Sequence, residues 1–313
     1  MLSVLENPIF ISYLKIVSFV LTVAFLILFT IDKVFKKDIQ KIWKIYYGWL
    51  IMVPIIFLFI LIGRTGTIVG INILSLLAYL EFARATKLNK NKSLHTLVIL
   101  GILSLGILCY IPDPLLPGVS GWYGLFMALP VYMIGAIMTV PTLLNRSEGM
   151  THNCALAILG FIYFGWMFSH LNFLTNSKFA IGYLFYLLFA VEIGDVSAFV
   201  FGKIFGKHKL RSEISPNKTL EGSIGSFFVS MLLPWLLSFS FPLFTTLQFI
   251  LTGLIVGIGG QLGDLTISFI KRDIGIKDMG TAIPGHGGIL DRVDSLIFTA
   301  PIFFHMTRYF EMQ

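Results

Sequence analysis

Asp264, Ser268 and Lys271 stand at i, i+4 and i+7 of one apolar stretch, which puts an acid, a hydroxyl and an ammonium on a single helical face while Ile267 and Ile270 point elsewhere. Asp264 then lies about 10 Å below the end of its helix, so the stripe lines a polar cavity that opens there. The run that follows, KRDIGIKDMGTAIPGHGGILDRVDS from Lys271 to Ser295, supplies Lys271, Arg272, Lys277 and Arg292 as cations. It also holds His286 in a Gly-His-Gly-Gly turn, and Asp291 and Asp294 at i, i+3 where a final helix begins. Glycines at 285, 287 and 288 leave backbone amides free to meet a phosphate. Upstream, Glu192 and Asp195 share one face of another apolar segment, and SEISPNKTLEGS offers Ser215, Asn217, Lys218 and Thr219 around the helix-blocking Pro216. Carboxylates suited to hard divalent cations therefore face a loop rich in Lys, Arg and His. Mg²⁺ takes a few carboxylates plus substrate phosphates, so the set reads as a metal-assisted phosphoryl or nucleotidyl transfer site. Structural alternatives stand beside this reading: Asp291 or Asp294 taken alone could cap a helix, and Glu192 with Asp195 could simply tie helices together.

Only a membrane-embedded scaffold suits the rest of the chain. Of 313 residues, 56% are hydrophobic and 12% charged, about half the charged share of a soluble domain. Ten stretches are apolar and long enough to suggest spans of about 20 residues: roughly 9–31, 46–63, 67–83, 94–111, 121–144, 153–174, 179–202, 223–243, 247–270 and 294–310. A very short turn around Arg64 and Gly66 separates the second from the third. The first has a weakly polar start and no small-residue cleavage site, so it is expected to stay as a membrane helix. The expectation is an all-α polytopic integral membrane protein with about ten transmembrane helices and a cytosol-facing polar catalytic cavity.

Alternate loops segregate charge. Segments 32–45, 84–93, 145–152, 203–221 and 271–293 hold 19 of the 23 Lys and Arg, which places that side in the cytosol and both termini outside. The net charge of +7 thereby reads as topology, and nucleic acid is not an expected partner. Residues 32–45 put Phe35, Ile39, Ile42 and Trp43 on one helical face and Lys36, Lys37, Lys41 and Lys44 on the other, in keeping with a helix in the headgroup layer or with a solvated connector. Embedded polar groups concentrate beyond residue 190, dividing the chain into N-terminal transmembrane helices over 1–178, with the basic interfacial segment 32–45, and a C-terminal catalytic region over 179–313. Cys109 and Cys154 lie in apolar runs, which argues for buried thiols, so any metal must use oxygen ligands. There is no Walker A sequence, and Gly257, Gly259 and Gly263 miss the dinucleotide spacing. With Gly253 they are expected to let helices pack closely.

The run Ser268-Phe-Ile-Lys271-Arg272, then Lys277-Asp278-Met-Gly280, then Ile283-Pro284-Gly-His286-Gly287-Gly288-Ile-Leu-Asp291-Arg292-Val-Asp294 resembles the signature of the phosphatidate cytidylyltransferase (CDP-diacylglycerol synthase) family. Ser215-Pro216-Asn217-Lys218-Thr219, the Gly263-Asp264 pair and Asp195 resemble family positions in the same order, so the likeness covers about residues 190–310. It implies an integral membrane nucleotidyltransferase that joins CTP and phosphatidic acid into CDP-diacylglycerol and pyrophosphate, with Mg²⁺ and room for a second metal ion. On that basis Asp264, Asp291, Asp294 and Asp195 are expected to hold metal, with Asp264, Lys271, Asp291 and Asp294 at the catalytic centre. Ser215, Asn217, Lys218, Thr219, Ser268, Arg272, Lys277, His286 and Arg292 are expected to bind substrate. A bacterial cytoplasmic membrane is the expected setting, and a homodimer the expected assembly if the chain associates. Ile267 and Gly194 depart from the pattern, standing where an acid and an Asn are usual.

Two enzymatic alternatives remain at this stage, cytidylyl transfer to another lipid phosphate and a CTP-dependent lipid kinase. A cation-coupled transporter should show paired broken helices in both halves. Here the polar groups lie in one half and on one side.

Overall fold

The computed structural model describes residues 2–35, 39–115, 120–280 and 287–311. A short helix α1 (Leu2–Leu5) precedes α2 (Pro8–Phe29), which runs on through a π-helical turn at Thr30–Val34. There follow α3 (Gln40–Leu61), α4 (Arg64–Ala85), α5 (Lys92–Leu108) and α6 (Tyr123–Leu143). The next rod joins α7 (Met150–Leu159), a π-helical turn at Gly160–Met167 and α8 (His170–Leu174). Then come α9 (Ala180–Phe205), the strands β1 (Lys209–Arg211) and β2 (Ser215–Thr219), and α10 (Leu220–Leu236). The last two rods are α11 (Thr246–Leu254), continued through a π-helical turn at Ile255–Gly259 into α12 (Gly260–Asp273), and α13 (Leu290–Glu311).

Each of the ten apolar stretches coincides with a rod. Among the described residues seven are long and apolar enough to cross a membrane, and α5 and α10 are shorter apolar helices. The protein is an all-α polytopic membrane protein, with one small hairpin among the described residues. Local chemistry sets the helix ends. Asn7 accepts from the amides of Ile9 (2.9 Å) and Phe10 (3.3 Å) ahead of Pro8, Thr219 accepts from Gly222 N at 3.2 Å, and Thr245 with Gln248 closes a capping box on α11. The turn between α3 and α4 falls at Gly63, whose φ of +91° suits glycine, so Arg64 is already helical rather than part of the turn. Of the basic segment 32–45, residues 40–45 form the first turns of α3, continuous with its apolar body, while 36–38 lie outside the described residues.

Burial is uneven. The first two rods are almost bare, with 6% and 11% of their apolar windows buried, against 61% for α4 and for the rod from Met150 to Leu174. α13 is the hub: it packs on α12, α9, α8, α4 and the π-helical turns of two rods, joining the N-terminal helices to the later ones. Close approach depends on glycines, as the sequence suggested. A Cβ on Gly253 would sit 2.9 Å from Met231 Cα, and one on Gly263 2.6 Å from the Asp294 carbonyl oxygen.

Replacing Gly263 with Ala should therefore force α12 away from α13. Overpacking of this kind costs about 1–3 kcal/mol. The expected outcome is a lower thermal unfolding midpoint in detergent, measured against the unmodified protein.

Candidate functional site

The site is assembled from α9, α12, α13 and the β1–β2 hairpin, which lies over the ends of α9, α10 and α12. The hairpin is antiparallel, with Lys209 opposite Thr219 and Arg211 opposite Ser215. Sequence reasoning saw only a Ser-Pro-Asn turn here. Pro216 is tolerated because a two-stranded ribbon leaves an edge where its missing amide is not needed. Arg272 fastens the hairpin to α12, donating through Nε to the Ile214 carbonyl (3.2 Å) and through Nη1 to that of Ile276 (3.2 Å). Its expected part in substrate binding thus has a structural duty beside it. Thr219 likewise caps α10, and Ser215 and Asn217 ride on β2, with Asn217 exposed.

Lys218, from the same strand, forms an ion pair with Asp264 Oδ2, and Ser268 donates to Asp264 Oδ1 at 3.1 Å. The predicted acid–hydroxyl stripe on α12 is therefore real, with Ile267 fully buried and Ile270 buried on other sides. Its third member turns to a different partner: Lys271 Nζ donates to Asp291 Oδ1 at 2.8 Å, and both side chains are buried. Asp291 Oδ2 accepts from the backbone amides of Met279 (3.1 Å) and Gly288 (2.9 Å). Both carboxylate oxygens of Asp291 are thus engaged within the chain. That arrangement gives Asp291 a duty as organiser of the loop beside its expected place as a metal ligand.

Asp195 on α9, Asp264 on α12 and Asp294 on α13 lie close enough for their charges to act on one another. Asp294 is buried, and its Oδ1 accepts from Ser295 N at 2.7 Å. Glu192, beside Asp195, comes within electrostatic range of Arg292, whose buried Nε has no hydrogen-bond partner. Arg292 therefore has acids of α9 within range beside its expected part in substrate binding. Lys277 is exposed on the loop, and His286 lies outside the described residues.

Three acids brought together with one paired lysine make an oxygen-donor set with excess negative charge. Mg²⁺ suits such a set because it uses one or two carboxylates and leaves its other positions to water and substrate phosphates. Among the described residues no group of three or more His, Cys, Asp or Glu side chains is gathered closely enough to hold a metal ion by itself. An ion bound here would draw on one or two of Asp195, Asp264 and Asp294, with water and substrate phosphates completing its shell.

Glu81 was missed altogether. It sits in the N-terminal half on α4, is buried, and accepts from Ile289 N (3.0 Å) and Leu290 N (2.8 Å) at the start of α13. A lone carboxylate in an apolar stretch was the available signal, by the same rule that picked out Asp264. Its partners lie more than 200 residues away in sequence.

Residues 42–310 match the family described as Cytidylyltransferase family. The chain is 34% identical over 254 residues to the Uncharacterized protein YnbB of Escherichia coli (strain K12), a match spanning 79% of this chain and 80% of that one. It is 35% identical over 239 residues to the phosphatidate cytidylyltransferase of Staphylococcus haemolyticus (strain JCSC1435), covering 75% and 90% of the two chains. With the phosphatidate cytidylyltransferase of Staphylococcus aureus (strain COL) it shares 36% identity over 256 residues, covering 80% and 94%.

The Lys271–Asp291 pair gives a direct test of the loop's construction. Asp291→Ala leaves a buried ammonium and two amides without partners, an expected loss of about 3–5 kcal/mol. The double variant Lys271→Met/Asp291→Leu, which removes both charges, should recover part of the unfolding midpoint in detergent.

Proposed function

Because the chain belongs to the cytidylyltransferase family and is a nucleotidyltransferase enzyme, we propose that it converts CTP and phosphatidic acid into CDP-diacylglycerol and pyrophosphate. The observation that carries this reading is the meeting of Asp195, Asp264 and Asp294 from three helices beside Lys218 and the Lys271–Asp291 pair. An acidic centre next to phosphate-binding cations in a membrane protein fits a nucleotide and a lipid phosphate as co-substrates.

The reaction balances simply. An oxygen of the lipid phosphate attacks the α-phosphorus of CTP, a new P–O bond forms, and the bond from the α-phosphorus to the bridging oxygen breaks as pyrophosphate leaves. A phosphate monoester has a second pKa near 6, so at pH 7 the nucleophile is already largely ionised and needs no strong general base. Positioning and charge neutralisation are what the protein must supply. Lys218 and Lys277, with His286 further along the sequence, have the chemistry to bind the triphosphate. Lys271 and Ser268 lie on the α12 face that the acceptor phosphate would approach. Arg292 offsets the acids of α9 and keeps their carboxylates from repelling the substrate. Mg²⁺ held by one or two of Asp195, Asp264 and Asp294 would supply further neutralisation of the triphosphate and fix its orientation.

We also propose that this centre faces the cytosol, with both termini outside. The support is the sorting of 19 of the 23 cations into one set of alternate loops, including the two that carry the site.

Purified protein in detergent, given labelled CTP, Mg²⁺ and a panel of lipid phosphates, should form a CDP-lipid with phosphatidic acid and release pyrophosphate. Transfer of the terminal phosphate with release of CDP would overturn the proposal, and preference for another lipid phosphate would correct the acceptor. Asp264→Asn should lower turnover by at least about a hundredfold, the scale of losing an electrostatic contact at the reacting phosphate. The variant should still insert and unfold at a similar temperature.

A further inference from the structure

Glu81 lies on α4, outside the acidic centre, yet its carboxylate holds the start of α13, which carries Asp294. Oε1 accepts from Ile289 N at 3.0 Å and Oε2 from Leu290 N at 2.8 Å, so one side chain satisfies two of the amides that a helix start leaves without intrahelical partners. Its negative charge also sits at the positive end of α13. Both arms of the loop close on the same carboxylate. A Cβ on Gly280 would come within 2.5 Å of Oε1, and one on Gly288 would meet Oε2 still more closely, so each glycine lies flat against Glu81. Gly280 and Gly288 also pack on each other.

The next residue along carries the restraint onward. Asp291 follows Leu290 directly and ties Met279, Gly288 and Lys271 together, and Asp294 comes one turn later among the acids of α9 and α12. A shift of the α13 start therefore moves Lys271's partner and a carboxylate of the acidic centre together. Misplacement of reacting groups by about 1 Å can cost roughly a hundredfold in rate. For stability alone a neutral cap on α13 would serve; a buried carboxylate gripping both arms of the loop also fixes the loop's position.

We propose that Glu81 is a positioning residue for nucleotidyl transfer, through which the N-terminal helices set the placement of Asp291 and Asp294. The inference rests on the proposed function. Two variants test it: Glu81→Gln keeps length but gives up one of the two acceptor oxygens, and Glu81→Asp keeps charge but falls one methylene short. Both should lower kcat by about tenfold or more while KM for CTP changes by less than about threefold. Hydrogen exchange at the amides of Met279, Gly288, Ile289 and Leu290 should accelerate in both, with amides in the middle of α9 unchanged.

Unchanged exchange at those four amides would overturn the proposal. So would unchanged kcat per folded molecule with only a reduced yield of protein, the signature of a purely structural role. Exchange needs no substrate. If the unmodified protein formed no CDP-lipid, the proposed function would fall, while the exchange comparison would still show whether Glu81 holds the loop.

Discussion

A carboxylate carried into an apolar layer must find donors or a counter-charge, and that one constraint arranges most of what is polar in this protein. Glu81 takes two backbone amides, Asp291 takes two amides and an ammonium, and Asp264 takes a hydroxyl and Lys218. Those solutions pin α4 to α13, α12 to the loop before α13, and the hairpin to α12. Asp195 and Asp294 instead face Asp264, with Lys218 and Arg292 in electrostatic range of Asp195 and Lys271 in range of Asp294. The hydrogen-bonded acids build the frame, and the meeting of Asp195, Asp264 and Asp294 is where the proposed metal ion would sit.

This division separates residues that look alike in sequence. Asp291 and Asp294 sit three apart at the start of one helix and are equally plausible as caps or ligands from spacing alone. Their environments differ in kind. Asp291 has both oxygens occupied by its own chain, whereas Asp294 receives one amide and looks across to two other acids. Lys271 and Lys218 are likewise both cations beside acids, but the first is buried in a pair and the second reaches in from a strand at the edge of the site.

Much of the architecture was legible because its physics is local. Apolar runs of span length mark each rod, and i, i+4 spacing on α12 correctly puts Asp264 and Ser268 on one face, since both depend only on helix geometry. What escaped depends on contacts between distant parts of the chain. Glu81 lies in a stretch otherwise so apolar that the N-terminal half reads as filler, and nothing within twenty residues signals its partners. The sequence suggests phosphate as the partner of Arg292, and only the fold shows that acids of α9 also lie within its electrostatic range. The hairpin escaped because three- and five-residue strands carry too little alternation to stand out.

The π-helical turn at Ile255–Gly259, between α11 and α12, has a bearing on how this rod tolerates change in length. Each residue of an α-helix advances the face by about 100°, and a π-helical turn accommodates extra chain without breaking the rod. The turn therefore acts as a phase adjuster: the half before it presents Gly253 to α10, and the half after it presents Gly263 to α13 and Asp264 toward the other acids. Relaxation of these five residues to a regular α-helix with none removed would swing Asp264 by about a quarter turn out of the acidic centre, whereas removing one residue at the same time would bring it back close to its present azimuth. The azimuth of that one carboxylate is thus stored in the backbone some five residues upstream, in a stretch of glycine, valine and isoleucine that has no polar side chain of its own.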